Sequence, residues 1–120
     1  MTAPAAKMIA VTIDANDAGS VAKFWAELTG TVVTKVEDEG TFHFLGSVDS
    51  APELCIQRVA EAKVGKARVH VDFSAPDLQA LTDRILALGG TWDGEELTMN
   101  EYTWRMFQDP EGTEFDVILE

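Results

Sequence analysis

The tetrapeptide VTID at 11–14 returns as VHVD at 69–72, and each copy opens the same succession of elements. Apolar residues alternate through both copies (Val11 and Ile13; Val69, Val71 and Phe73), the period-two pattern of a strand with one buried face. An amphipathic helix is predicted after each. In the first, Val21, Phe24, Trp25 and Leu28 fall at i, i+3, i+4 and i+7, and Gly30 stands where a left-handed residue would end the helix. In the second, Ser74 reads as the N-cap and Pro76 as the helix start, with Asp77 as the acid three residues after the cap. Leu78, Leu81, Ile85 and Leu88 form its stripe before Gly89 and Gly90 stop it. Three strand-like segments follow each helix: 31–36, 41–46 and 53–59 in the first half, and 91–97, 102–108 and 113–119 in the second.

The repeat predicts an α+β fold of tandem βαβββ modules. Residues 1–7 read as a flexible tail and 8–120 as a single domain, with module one at about 8–59, a connection at 60–67 and module two at 68–120. A module of this kind covers one sheet face with its helix and leaves the other open. Two open faces side by side curl into a curved mixed sheet with a concave pocket, where small molecules bind.

At 120 residues the chain is of one-domain size, and its single cysteine, Cys55, excludes an intrachain disulfide. No apolar run reaches membrane length and no signal segment opens the chain, so a cytoplasmic location is expected. The formal net charge of −12 argues against nucleic acid and anionic membrane as partners.

Together the tandem units, FWAELTG at 24–30, VHVDF at 69–73 and DPEGTEF at 109–115 resemble the vicinal oxygen chelate superfamily. That group includes glyoxalase I, bleomycin-resistance proteins, fosfomycin-resistance enzymes and extradiol dioxygenases. Within it the chain looks most like the small bacterial glyoxalase-like domain proteins. The resemblance implies a homodimer, and in metal-dependent members a divalent ion held by one residue on the first and one on the last strand of each module. Here the first-strand position of module one falls on Ala10 or Thr12, and neither is a competent ligand. The remaining positions fall on Gln57, His70 and Asp116, an incomplete set. No tight cofactor is therefore expected, with a divalent metal on His70, Asp116 and Gln57 as the alternative.

Asp14 and Asp72 share the inward parity of Thr12 and His70 and join the candidate ligand-binding residues. With Asp72 two residues along the same face, His70 is also the candidate catalytic general base. His43, between Phe42 and Phe44, has the opposite parity and reads as ordinary; Trp25 reads as core.

The last hairpin decides what lines the pocket. A two-residue loop at Pro110-Glu111 would pair Asp116 with Arg105. A type I turn followed by a left-handed Gly112 would pair Asp116 with Met106 and Ile118 with Trp104, and so turn Tyr102, Trp104 and Met106 to the open face. Gly112 favours the second. The expected function is binding of a small, flat or aromatic organic molecule with a hydrogen-bonding or cationic edge. The alternatives are a metal-dependent lyase, isomerase or dioxygenase, and a non-catalytic dimerisation or regulatory module.

Overall fold

Two four-stranded sheets, in the orders β1-β4-β3-β2 and β5-β8-β7-β6, carry the duplication into three dimensions. The computed structural model describes residues 3–120, so Met1 and Thr2 of the tail expected at 1–7 lie outside the described residues. Module one runs β1 (Ala10–Ala15), α1 (Ala18–Thr29), β2 (Val33–Glu37), a 3-10 turn (Asp38–Gly40), β3 (Phe42–Leu45) and β4 (Glu53–Arg58). Module two runs β5 (Val71–Ala75), α2 (Leu78–Ala87), β6 (Thr91–Met99), β7 (Tyr102–Gln108) and β8 (Glu114–Leu119). In each, the first strand lies parallel to the last and the remaining pairs are antiparallel.

Local chemistry sets the helix ends. The Asp17 side chain accepts the Ser20 N–H at 3.1 Å to cap α1, and Gly30 closes it at φ 71°. The cap of α2 is Asp77, which accepts the Ala80 N–H at 3.0 Å, and not Ser74. Strand β5 continues through Ala75, so Ser74 is still in the sheet, with its hydroxyl 3.2 Å from Glu120. Pro76 then precedes the cap and turns the chain. β5 also starts later than the VHVD pattern suggests. Arg68 and Val69 form a bend, and His70 sits just ahead of the strand.

One core serves both modules. α1 buries Val21, Phe24 and Trp25 against Ile13, Leu45 and Ile56 of its own sheet. The Trp25 ring also lies edge-on to Phe115 (4.8 Å between centroids) and 6.0 Å from Phe73 in module two. Its indole N–H donates to Asp109 Oδ2 at 3.1 Å. The other carboxylate oxygen of Asp109 accepts the N–H groups of Glu111 (2.9 Å) and Thr113 (3.0 Å). Glu111 in turn accepts the N–H groups of Asn16 (2.6 Å) and Asp17 (2.8 Å) at the start of α1. The turn of the last hairpin is thus clamped onto the first module's helix.

That turn takes the bulged form. Gly112 has φ 92°, its N–H reaches Asp109 O at 3.0 Å, and Asp109 N–H reaches Thr113 O at 2.9 Å. Trp104 pairs with Ile118 and Met106 with Asp116. Arg105 points the other way, toward α2, where it donates to Thr82 (2.9 Å) and Glu96 (3.0 Å) and lies 4.2 Å over the Trp92 ring.

Burial pushes the Asp109 carboxyl above the usual range, against the lowering effect of its three hydrogen bonds. Asp109→Ala strands three donors, two of them main-chain, and should cost roughly 1–3 kcal/mol. A carboxyl with a raised folded-state pKa contributes most below its unfolded pKa, and that contribution is lost as pH rises through the folded value. Urea denaturation of both proteins should therefore show a gap that narrows as pH rises from about 3 to 7; a gap that widens contradicts this account.

Candidate functional site

Three polar side chains converge on the open face of module two. Parallel pairing sets Asp72 of β5 beside Asp116 of β8. His70, two residues before Asp72, shares their parity, and its Nδ1 lies 2.8 Å from Asp72 Oδ1 and 3.6 Å from Asp116 Oδ2. Asp116 is only 8% exposed, and its Oδ1 is buried without a hydrogen-bond partner. Burial pushes this carboxyl above its usual range; His70 and Lys66 pull the other way, while Asp72 adds to the rise.

A hollow of about 270 Å³ opens beside the cluster. Asp72 and Asp116 form its polar side, and Trp104, Tyr102, Met99 and Ile118 its apolar wall. A second cavity, a cleft of about 340 Å³, lies between β1 and β5. Asp14 and His70 line it with the strap at 61–67, and Trp25 closes it on the helix side. Glu114 holds the strap by accepting Ala67 N–H at 2.6 Å and pairing with Lys63 at 2.7 Å.

His70, Asp72, Asp116 and Trp104 are thus brought together. Gln57 is not among them: it lies in the other sheet, paired with Asp14 and Phe42. Asp14 meets His70 only across the cleft. Met106 sits beside Asp116 in register but lines a separate hollow with Thr91, Trp92 and Gln108. The sequence reading ended β6 at 97 and so missed Met99 and Asn100, which also line the Trp104 hollow. The available signal was Asn100 itself, a residue tolerant of positive φ, which turns the β6–β7 hairpin at φ 57°.

The cluster also suits a divalent ion. Ligand atoms of His70, Asp72 and Asp116 all lie within 4.8 Å of one another. Donors bound at about 2.0–2.2 Å to one ion sit roughly 3–3.5 Å apart, close to the 2.8 and 3.6 Å found from His70 to its two neighbours. Nitrogen and carboxylate oxygen are donors that such ions accept. All three come from module two, whereas Gln57, the module-one member of the expected set, lies in the other sheet.

Comparison with known proteins gives a consistent picture. A family model described as a glyoxalase-like domain matches residues 10–118. No curated protein sequence matches the chain significantly. Among solved structures, a glyoxalase/bleomycin resistance protein/dioxygenase family enzyme from Burkholderia phytofirmans PsJN superposes with a TM-score of 0.80 at 16% identity, covering 95% of this chain and 98% of that one. A lactoylglutathione lyase from Agrobacterium tumefaciens gives 0.67 at 15% identity, covering 97% and 95%. A member of the glyoxalase/bleomycin resistance protein/dioxygenase superfamily from Sphaerobacter thermophilus DSM 20745 gives 0.72 at 15% identity, covering 97% and 98%. At these identities the likeness is one of fold.

The buried carboxyl generates a prediction of its own. Because the folded state holds Asp116 above its unfolded pKa, the charged form weakens the fold at neutral pH. Asp116→Asn should therefore be more stable than the parent at pH 7, and the gain should vanish as pH falls below the usual carboxylate range. Denaturation midpoints at a series of pH values check this; a variant less stable at pH 7 than at pH 4, relative to the parent, overturns it.

Proposed function

The chain belongs to the glyoxalase-like domain family, and from that premise we propose that it binds a small organic molecule on the open face of module two. The molecule's flat, apolar body lies against Trp104 and Tyr102, and its hydrogen-bond-donating or cationic edge meets Asp116 and Asp72. One observation carries this reading: Asp116, on the polar side of an aromatic-walled hollow, keeps a buried carboxylate oxygen, Oδ1, without a partner. An acceptor left bare in that position is costly, and a ligand N–H or cation relieves the cost. The net charge of −12 disfavours polyanionic ligands. Asp72, by holding His70 Nδ1, fixes the imidazole plane beside the two carboxylates, an arrangement suited to a general base if the bound molecule is a substrate.

A second reading rests on the spacing of the same three side chains. His70, Asp72 and Asp116 would hold a divalent ion, which when bound supplies Lewis acidity toward an oxygen-bearing substrate, as in a lyase, isomerase or dioxygenase. In that case the residues' own work is to orient the substrate on the Trp104 wall and to keep the polar edge out of bulk water.

A thermal-shift screen of flat cationic and hydrogen-bonding compounds, followed by Trp fluorescence, tests the first reading. Trp104→Ala should weaken binding of a hit by about 1–3 kcal/mol, the scale of one aromatic anchor. Arg105→Ala should leave binding unchanged, because Arg105 faces α2. Loss of binding in Arg105→Ala with retention in Trp104→Ala removes the hollow as the site. Metal analysis separates the two readings: under the first, dialysed protein carries well under one ion per chain and binds its hit in the presence of chelator. Stoichiometric metal that survives dialysis, with binding abolished by chelator, transfers the conclusion to the second.

A further inference from the structure

β1 and β5 are the inner edges of their sheets, each bonded to one neighbour only, β4 and β8. Residues 11–15 of β1 and residues 69–71, at the start of β5, flank the 340 Å³ cleft, yet no main-chain hydrogen bond joins the two strands among the described residues. The phase of bonding decides which groups face that cleft. Val59 N–H reaches Ala15 O and Glu53 N–H reaches Ile9 O, so the odd residues of β1 direct their main chain at β4. Ala10, Thr12 and Asp14 then direct theirs the other way. In β5, Glu120 N–H reaches Ala75 O, which by the same logic turns the N–H and C=O of His70 and Asp72 away from β8. Asn16 continues the outward series of β1, and its N–H is taken by Glu111 of module two, so this edge does face the second module.

Unpaired main-chain groups along β1, faced by those of His70 at the start of β5, are what an added strand uses. We propose that the cleft binds a short extended peptide, inserted between β1 and β5 by main-chain pairing with Thr12, Asp14 and His70. The spacing agrees. Apart from at most a short point of approach, the Cα atoms of β1 and β5 stay more than 8 Å apart, and a strand inserted between two others requires roughly 9.5 Å. The lining stretch of β1, Val11 to Ala15, spans about 13–16 Å at strand rise, enough for three peptide residues. Their side chains would point at the strap on one side and Trp25 on the other, so small ones fit. Asp14 and Lys66 both line the cleft, and neither forms an ion pair among the described residues. They supply counter-charges for the ammonium and carboxylate of an unblocked peptide. The proposal does not depend on the Trp104 hollow.

Trialanine is the probe, titrated at millimolar concentration into isotope-labelled full-length protein. Hydrogen exchange at the Thr12, Asp14 and His70 amides should slow several-fold. An analogue with the central amide replaced by an ester should bind about ten-fold more weakly, the loss expected for one main-chain hydrogen bond. Asp14→Asn and Lys66→Ala should each weaken trialanine several-fold while leaving thermal stability unchanged. Unaltered exchange at the three amides, equal affinity for the ester, or a response confined to Trp104 and Tyr102 overturns the proposal.

Discussion

The indole N–H of Trp25 needs an acceptor, and much of the structure follows from where it finds one. A fully buried tryptophan contributes a large apolar surface but leaves one donor to satisfy. Trp25 sits in α1 of module one and its acceptor, Asp109, lies 84 residues later in the turn of the last hairpin. The same carboxylate organises that turn through Glu111 and Thr113, and Glu111 reaches back to the start of α1. Packing between modules and register within module two are therefore fixed by one group. With the turn held in its bulged form, Met106 pairs with Asp116, and Asp116 must face away from α2. A one-residue slip would carry the carboxylate into the Phe107–Phe115–Val117 core, where no partner awaits it.

Duplication supplied equivalent positions, and the two modules fill them differently. The register sets Asp14 beside Gln57 in module one and Asp72 beside Asp116 in module two. Thr12 occupies in the first the place that His70 occupies in the second. The module-one trio thus has one ionisable group where the module-two trio has three. Around the first trio stand Phe42 and Phe44, stacked at 6.3 Å, with the Lys35 ammonium 4.7 Å from the Phe44 ring. The ionisable groups of these two equivalent trios are thus gathered on module two, while Glu37 and Glu53 add acids to the face of module one.

Much of this was legible in the residues. Alternation and helical stripes gave all eight strands and both long helices, because each element buries one face against a common core. Gly112 gave the register, because a left-handed residue at the third loop position leaves only one pairing. What local reasoning missed was settled by longer-range forces. Ser74 and Asp77 are equally good caps in isolation, and pairing of β5 with β8 as far as Ala75 excludes the first. His70 looks like a strand residue until the strap at 61–67, tied to Glu114, bends the chain just ahead of it. Asp109 reads as a turn residue, and nothing near it in the chain announces Trp25. The candidate ligands on Asp14 and Gln57 were assigned by parity, and parity fixes a face without fixing which residues on neighbouring sheets meet.

The cluster on module two places its proton and any ion in competition for one atom. His70 Nδ1 lies at hydrogen-bond distance from Asp72. With a proton on Nδ1 the imidazole donates to Asp72 and presents no lone pair there. An ion taken up by His70, Asp72 and Asp116 through that nitrogen needs the proton moved off Nδ1, which breaks the bond to Asp72. An organic cation makes no such demand. Under the reading proposed above it would pair with the Asp116 carboxylate, whose Oδ1 has no partner in the fold, and would leave the His70–Asp72 bond intact. The two proposed classes of occupant would therefore draw on the cluster differently: the organic one would use the carboxylate that the fold leaves part-unpaired, while the ion would require the fold to give up a hydrogen bond it already has.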